Sequence, residues 1–248
     1  FFEIGNPNRQ VQQIAINYEL PLNKIPTFNF LKTTYSYTGD YQWQKGSDLF
    51  GNLTLDGQTY DLGNSISNAN THNVNSVFDM QKLYRYIGLT KFTRNSDSKS
   101  VRGFSNNNQT KKTNPILKSI IDLITTVKRI QINYSENNGS YLPGFLETPG
   151  FIGSFTPSFG YVFGSQRDIR YLAARNGWLT VFPEFNQQFS STKNSNLTFS
   201  ANLVPIKDLK IDLTGGRTYA ENITESFNTI DTDNDGFSDL YNPFIQNS

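Results

Sequence analysis

The sequence predicts an all-β-dominated fold: an antiparallel transmembrane β-barrel segment, part of a very large barrel, with long loops and a few short helical inserts. Three observations predict it. The 248 residues are 17% charged and 14% aromatic and include 29 Asn, a polar but weakly charged composition, where a globular domain carries about a quarter charged residues. Several segments alternate strictly between apolar and polar positions, the period of a strand with two unlike faces. No run of about 18 apolar residues exists, so transmembrane helices are not expected, whereas barrel strands escape such a scan.

Composition also narrows the chemistry. The net charge of +1 offers no electrostatic footprint for nucleic acid. Without Cys there is no thiolate nucleophile, disulfide or cysteine zinc site. His72 is the one histidine, and no G-x-S-x-G elbow accompanies it. An enzyme is the least supported class. The chain opens Phe-Phe-Glu with no signal-peptide pattern, which reads as a mature or trimmed fragment.

Strands are expected over Gln10–Glu19 and Leu31–Gln44. In the second, Tyr35, Tyr37, Tyr41 and Trp43 share one parity, while Thr34, Ser36, Thr38, Asp40 and Gln42 share the other. The run exceeds a usual strand of five or six residues, and its aromatic side suits lipid better than the Val, Ile and Leu of a sandwich core. The aromatic side is therefore expected to face lipid and the polar side a lumen. Leu197, Phe199 and Leu203, then Ile211 and Leu213, repeat the alternation and are also expected to face lipid. Leu20–Ile25 and Val204–Leu209 share the form φ-Pro-φ-x-x-φ, which reads as two short hairpin connections. Further strands are expected at Arg129–Glu136, Phe159–Phe163 and Phe182–Ser191.

The stretches Gly46–Asn75 and Lys91–Asn114 are polar and long, and read as loops. His72 falls in the first as a solvated or loop-bonded ring. Helices are expected from Ser76 to a stop at Gly88, from Asn114-Pro115 through Val127, and over Ser165–Asn176. The organisation is then one barrel domain: strand-rich 10–45, loop and helical insert 46–126, strands and insert 127–195, a strand hairpin 196–220 and an Asp-rich loop 228–242.

That last loop carries the one motif with a metal mechanism. Asp231, Asp233, Asp235, Phe237 (by its carbonyl) and Asp239 alternate around Gly236, a spacing that converges oxygen ligands on a hard cation such as calcium. Asn242 stands where a bidentate Glu would complete the sphere. A calcium site and a simple Asp-rich turn remain equal readings, and no cofactor is required.

Three longer stretches carry a family resemblance: Asn17–Pro26 (NYELPLNKIP), Thr34–Trp43 (TYSYTGDYQW), and Asn68–Asn75 (NANTHNVN) followed by Asp79–Tyr84 (DMQKLY). They resemble the SprA (Sov) family of outer-membrane proteins of the Bacteroidetes type IX secretion and gliding machinery. The resemblance is clearest over 10–89, extends more loosely to Tyr219, and covers about a tenth of a family member. It implies a segment of a single-chain, protein-conducting barrel in the bacterial outer membrane, exporting folded cargo proteins that carry a C-terminal sorting signal. The implied partners are the remainder of the same barrel, a PorV-like small barrel, a periplasmic plug protein, the cargo and outer-membrane lipid. No catalytic residue is implied, and the Asp231 loop is not part of the family pattern. The competing readings are a porin or TonB-dependent receptor segment, and a secreted calcium-binding, adhesin-like β domain. A few strands cannot close a barrel, so the excised chain is expected to aggregate or to need detergent.

Overall fold

A computed structural model describes residues 7–47, 53–89, 120–121, 124–150, 153–182, 184–206, 208–230 and 239–241. Strands dominate, and six of them form one antiparallel sheet in the order β1-β2-β5-β6-β7-β8. These are β1 (Arg9–Leu20), β2 (Leu31–Gln44), β5 (Asn64–Asp79), β6 (Val127–Phe145), β7 (Gln188–Ile206) and β8 (Leu209–Ser226). At 12 to 19 residues each, they are two to three times the common strand length. A hairpin, β3 (Leu53–Leu55) with β4 (Gln58–Tyr60), interrupts the meander, and β9 (Asn228–Ile230) pairs with β10 (Asp239–Tyr241). Among the described residues β1 and β8 do not pair with each other, so both long edges stay open.

The two Pro-containing connections are short, as expected. Pro21–Lys24 and Pro26–Phe28 form single 3-10 turns between β1 and β2, where proline needs no donor partner. At the β7–β8 turn Asp208 takes φ +69°, a conformation that Asp tolerates better than most residues. The β3–β4 turn is Asp56-Gly57, both at positive φ, as a two-residue hairpin requires.

Five expectations are corrected. The stretch Gly46–Asn75 is not a loop: it holds β3, β4 and most of β5, and His72 lies within β5 rather than in a loop. Phe159–Phe163 is not a strand, because Ser158 Oγ accepts from Tyr161 N and starts α2 (Phe159–Val162). The segment 182–191 becomes strand only from Gln188. The helix expected from Ser76 begins later, as α1 (Met80–Tyr86), with Asp79 rather than Ser76 capping it by accepting from Lys82 N; Gly88 follows at φ +79°. Expected helix 165–176 shortens to α3 (Arg170–Arg175), with Gly177 at φ +68° beyond its end. Stretch 91–114 and most of the helix expected after Asn114 lie outside the described residues.

The buried core is eccentric. Segment 146–187, between β6 and β7, folds back over one end of one sheet face. There Tyr41, Trp43, Ile66, Leu142, Phe145 and Phe189 of the strands meet Tyr161, Val162, Ile169, Ala173 and Leu179 of the segment. Among the described residues no such core covers the rest of that face.

Candidate functional site

The registers sort the sheet into two unlike faces. One aligned row reads Tyr18, Tyr35, Val74, Tyr134, Leu197 and Arg217; the next toward the covered end reads Ile16, Tyr37, His72, Glu136, Ser195 and Tyr219. This aromatic face divides into an end capped by segment 146–187 and an open apolar band. The opposite face is mostly Gln, Asn, Ser and Thr, and includes Thr34, Ser36, Thr38, Asp40 and Gln42. A trough of about 560 Å³ opens along it, lined from five neighbouring strands by Arg9, Val11, Gln42, Ala69, Tyr141 and Thr192.

The open band contains five of the residues expected to face lipid. Leu197, Phe199, Ile211 and Leu213 are 39 to 50% exposed, and Leu203 is half-buried. The Phe199 ring lies over Gly215 on β8, where an added Cβ would come within 2.4 Å of it, an aromatic ring shielding a strand glycine. Tyr35 and Tyr37 sit at the band's upper edge. Tyr41 and Trp43 correct the expectation: they are 1% and 2% exposed, with Trp43 Nε1 donating to Glu147 O at 2.9 Å and Tyr41 Oη to Thr156 O at 3.4 Å. The same strand parity serves two environments because segment 146–187 covers only its far end.

The band's edge toward the covered end runs through Ile14 on β1, Tyr37 on β2, Val74 on β5, Tyr134 on β6, Leu197 on β7 and Tyr219 on β8. These residues lie within three neighbouring rows of the registers, so the edge is close to level across the sheet. On β7 apolar residues recur from Leu197 to Ile206, about 31 Å along the strand.

Four tyrosines mark the edge with their hydroxyls turned the same way. Tyr35 Oη meets His72 Nδ1 at 2.9 Å, Tyr219 Oη donates to Glu221 at 2.8 Å, Tyr134 Oη donates to Glu136, and Tyr37 Oη donates to Phe163 O. Each partner lies one row toward the covered end, so ring bodies border the band while hydroxyls enter a polar row. Lys193, opposite Asn138 in the next row toward the covered end, lies 3.8 Å from Glu136.

Segment 146–187 is held by backbone capture. Asn68, 4% exposed, donates to Tyr161 O (2.9 Å) and Ser165 O (2.8 Å) and accepts from Ser140 Oγ (2.7 Å) and Gln166 Nε2 (3.0 Å). Both its donors and both its lone-pair sites are thereby used. Asn70 Nδ2 donates to Gly164 O at 2.6 Å. Gly39 and Gly164 meet back to back, a Cβ on Gly164 falling 3.1 Å from Gly39 Cα.

Farther along, the Arg170 guanidinium, with its side chain 5% exposed, pairs at 2.7 Å with both Asp168 and Glu225 and lies 4.1 Å from the Phe189 ring centre. Burial works against its charge, yet the two carboxylates hold its pKa above the ordinary value. Glu225→Gln keeps the shape and removes one counter-charge, which is expected to loosen the segment by about 1–2 kcal/mol. Trypsin cleavage within 146–187 should quicken about tenfold; an unchanged rate would refute the clamp.

Sequence reasoning missed Asn68, Asn70, Gly39 and Arg170. The one available signal was Asn at alternate positions 68 and 70, a strand period hidden by turn-like composition. Asp231, Asp233, Asp235 and Phe237 lie outside the described residues, and only the backbone of Asp239 is described, opening β10. Among the described residues no three His, Asp or Glu side chains gather as metal ligands, and no helix is long and apolar enough to cross a membrane. No protein-family model matches the chain, and no curated protein matches it.

Proposed function

We propose that the chain is part of the wall of a large outer-membrane β-barrel, with the band from Ile14 to Leu213 against lipid and the polar face toward a lumen. The observation that carries the reading is an exposed apolar band on long antiparallel strands, bordered by Tyr35, Tyr37, Tyr134 and Tyr219 and backed by a mostly polar face. Membrane barrels present an apolar belt about 25 Å tall, bounded by aromatic residues, and a polar face toward the lumen. A soluble sandwich buries its apolar face against a second sheet, and among the described residues no second sheet covers this band. The open edges of β1 and β8 then require further strands, because unpaired edges are not tolerated in lipid.

The cargo class rests on the resemblance of 17–26, 34–43, 68–75 and 79–84 to the SprA (Sov) family. On that basis the wall lines a pore exporting folded proteins with C-terminal sorting domains, alongside a PorV-like barrel and a periplasmic plug. An Asn-, Ser- and Thr-lined face suits such a conduit, since it offers hydrogen bonds without a single-sign charge that would trap cargo.

Fractionation of the source cell tests the wall. Recovery from the outer membrane only with detergent, on a polypeptide many times longer than 248 residues, is expected. A soluble secreted product near 28.2 kDa would overturn it. Depleting the protein should retain sorting-domain cargo inside the cell; undiminished secretion would overturn the export assignment while leaving the wall in place.

A further inference from the structure

The capped end of the aromatic face presents a second apolar feature. In segment 146–187 the rings of Phe155, Phe159 and Phe163 form a ladder, with centroids 5.9 Å apart for the first pair and 4.6 Å for the second. Phe155 is 64% and Phe159 67% exposed, so two large rings stand outside the core that the segment otherwise builds. The ladder is fixed in height. Phe163 O accepts from Tyr37 Oη, lies 2.5 Å from where a Gly39 Cβ would stand, and so sits level with the Ile14–Gly39 row. That row is where the open band begins on β1.

From this placement we infer that Phe155 and Phe159 form an interfacial anchor, seated in the headgroup and upper acyl region of the leaflet on the covered side of the barrel. The inference rests on the band facing lipid, as proposed above, and adds that segment 146–187 rests on the bilayer surface. Continuity argues for lipid as the occupant. The ladder starts at Phe163, whose carbonyl is held by Tyr37 at the band's upper edge, the level at which aromatic rings concentrate in membrane proteins. A soluble partner would leave the adjoining Ile16 and Tyr18, 47% and 55% exposed, still in need of cover, whereas one bilayer surface covers both. The glycine contact and the Asn68 and Asn70 hydrogen bonds then act as a rigid mount, holding the segment at one depth.

Depth-resolved quenching tests the anchor. The chain has no cysteine, so Phe159→Cys and Leu197→Cys each give one labelling site here, in an otherwise cysteine-free full-length polypeptide. The label is a nitrobenzoxadiazole fluorophore, and the vesicles are phosphatidylcholine carrying a doxyl quencher either near the headgroup or deep in the acyl chain. The expected result is loss of Phe159-site emission to the shallow quencher with emission kept in the presence of the deep one, and loss of Leu197-site emission to an acyl-chain quencher. Quenching at 197 with none at 159 would overturn the anchor and leave the lipid-facing band standing. Quenching at 159 by the deep probe alone would also overturn it, since the rings would lie in the hydrocarbon core. No quenching at either site would overturn the band and the anchor together.

Discussion

Gly39→Val is expected to release segment 146–187 from the sheet. A Cβ at position 39 would stand 2.5 Å from Phe163 O and 3.0 Å from its carbonyl carbon, both backbone atoms that no rotamer change can move. The opposing residue cannot yield either. Gly164 is at φ +97°, and its own Cβ position is already crowded by Tyr37 Oη at 2.5 Å. Overpacking costs about 1–3 kcal/mol, and the shift needed to relieve it would break the Tyr37–Phe163 and Asn70–Gly164 hydrogen bonds, at about 1 kcal/mol each. The combined effect is on the order of 4 kcal/mol against the docked state. Trypsin should then cut at Arg170, which is buried in the docked state, while Thr38→Val on the polar face leaves the digest unchanged. A Gly39→Val protein with undiminished protection would show that the glycine contact does not hold the segment.

The period-2 alternation of residues 31–44 and 196–213 was legible because each run places apolar and polar side chains on opposite faces, and both became long antiparallel strands. Pro21 and Pro205 were legible for a related reason, since a residue without a donor must sit where the ladder ends. What the sequence concealed is where polar side chains are used inside a fold. Asn68 and Asn70 have turn-forming composition, yet in β5 they are buried because a neighbouring backbone supplies their partners, and no local pattern announces a partner some 95 residues away. Tyr41 and Trp43 were placed on the correct face and assigned the wrong environment. Parity reports the side of a strand, not whether lipid or protein covers it. The Phe159–Phe163 error has the same root: a short aromatic run is compatible with strand or helix, and the Ser158 cap decided for helix.

Phe199→Arg, compared with Asn196→Arg, is the substitution pair that separates a bilayer wall from a soluble sheet. The two positions lie three residues apart on β7 and on opposite faces, so strand propensity and distance from the chain ends are nearly matched. Phe199 is 48% exposed and sits one row inside the band, away from its tyrosine edge. If that band meets lipid, an arginine there costs about 2–4 kcal/mol, according to its depth. On a water-facing surface the same change should stay within about 0.5 kcal/mol. Asn196 belongs to the polar face, where an arginine remains hydrated in either case. The polypeptide in phosphatidylcholine vesicles should therefore lose resistance to urea with Phe199→Arg and keep it with Asn196→Arg. Tyr37→Arg would be a poorer choice, because Tyr37 also holds Phe163 O and its loss would mix undocking with lipid exposure. Equal urea resistance in the two arginine variants would mean that water meets both faces. The apolar band would then have to be covered by protein, and the barrel-wall reading would fall.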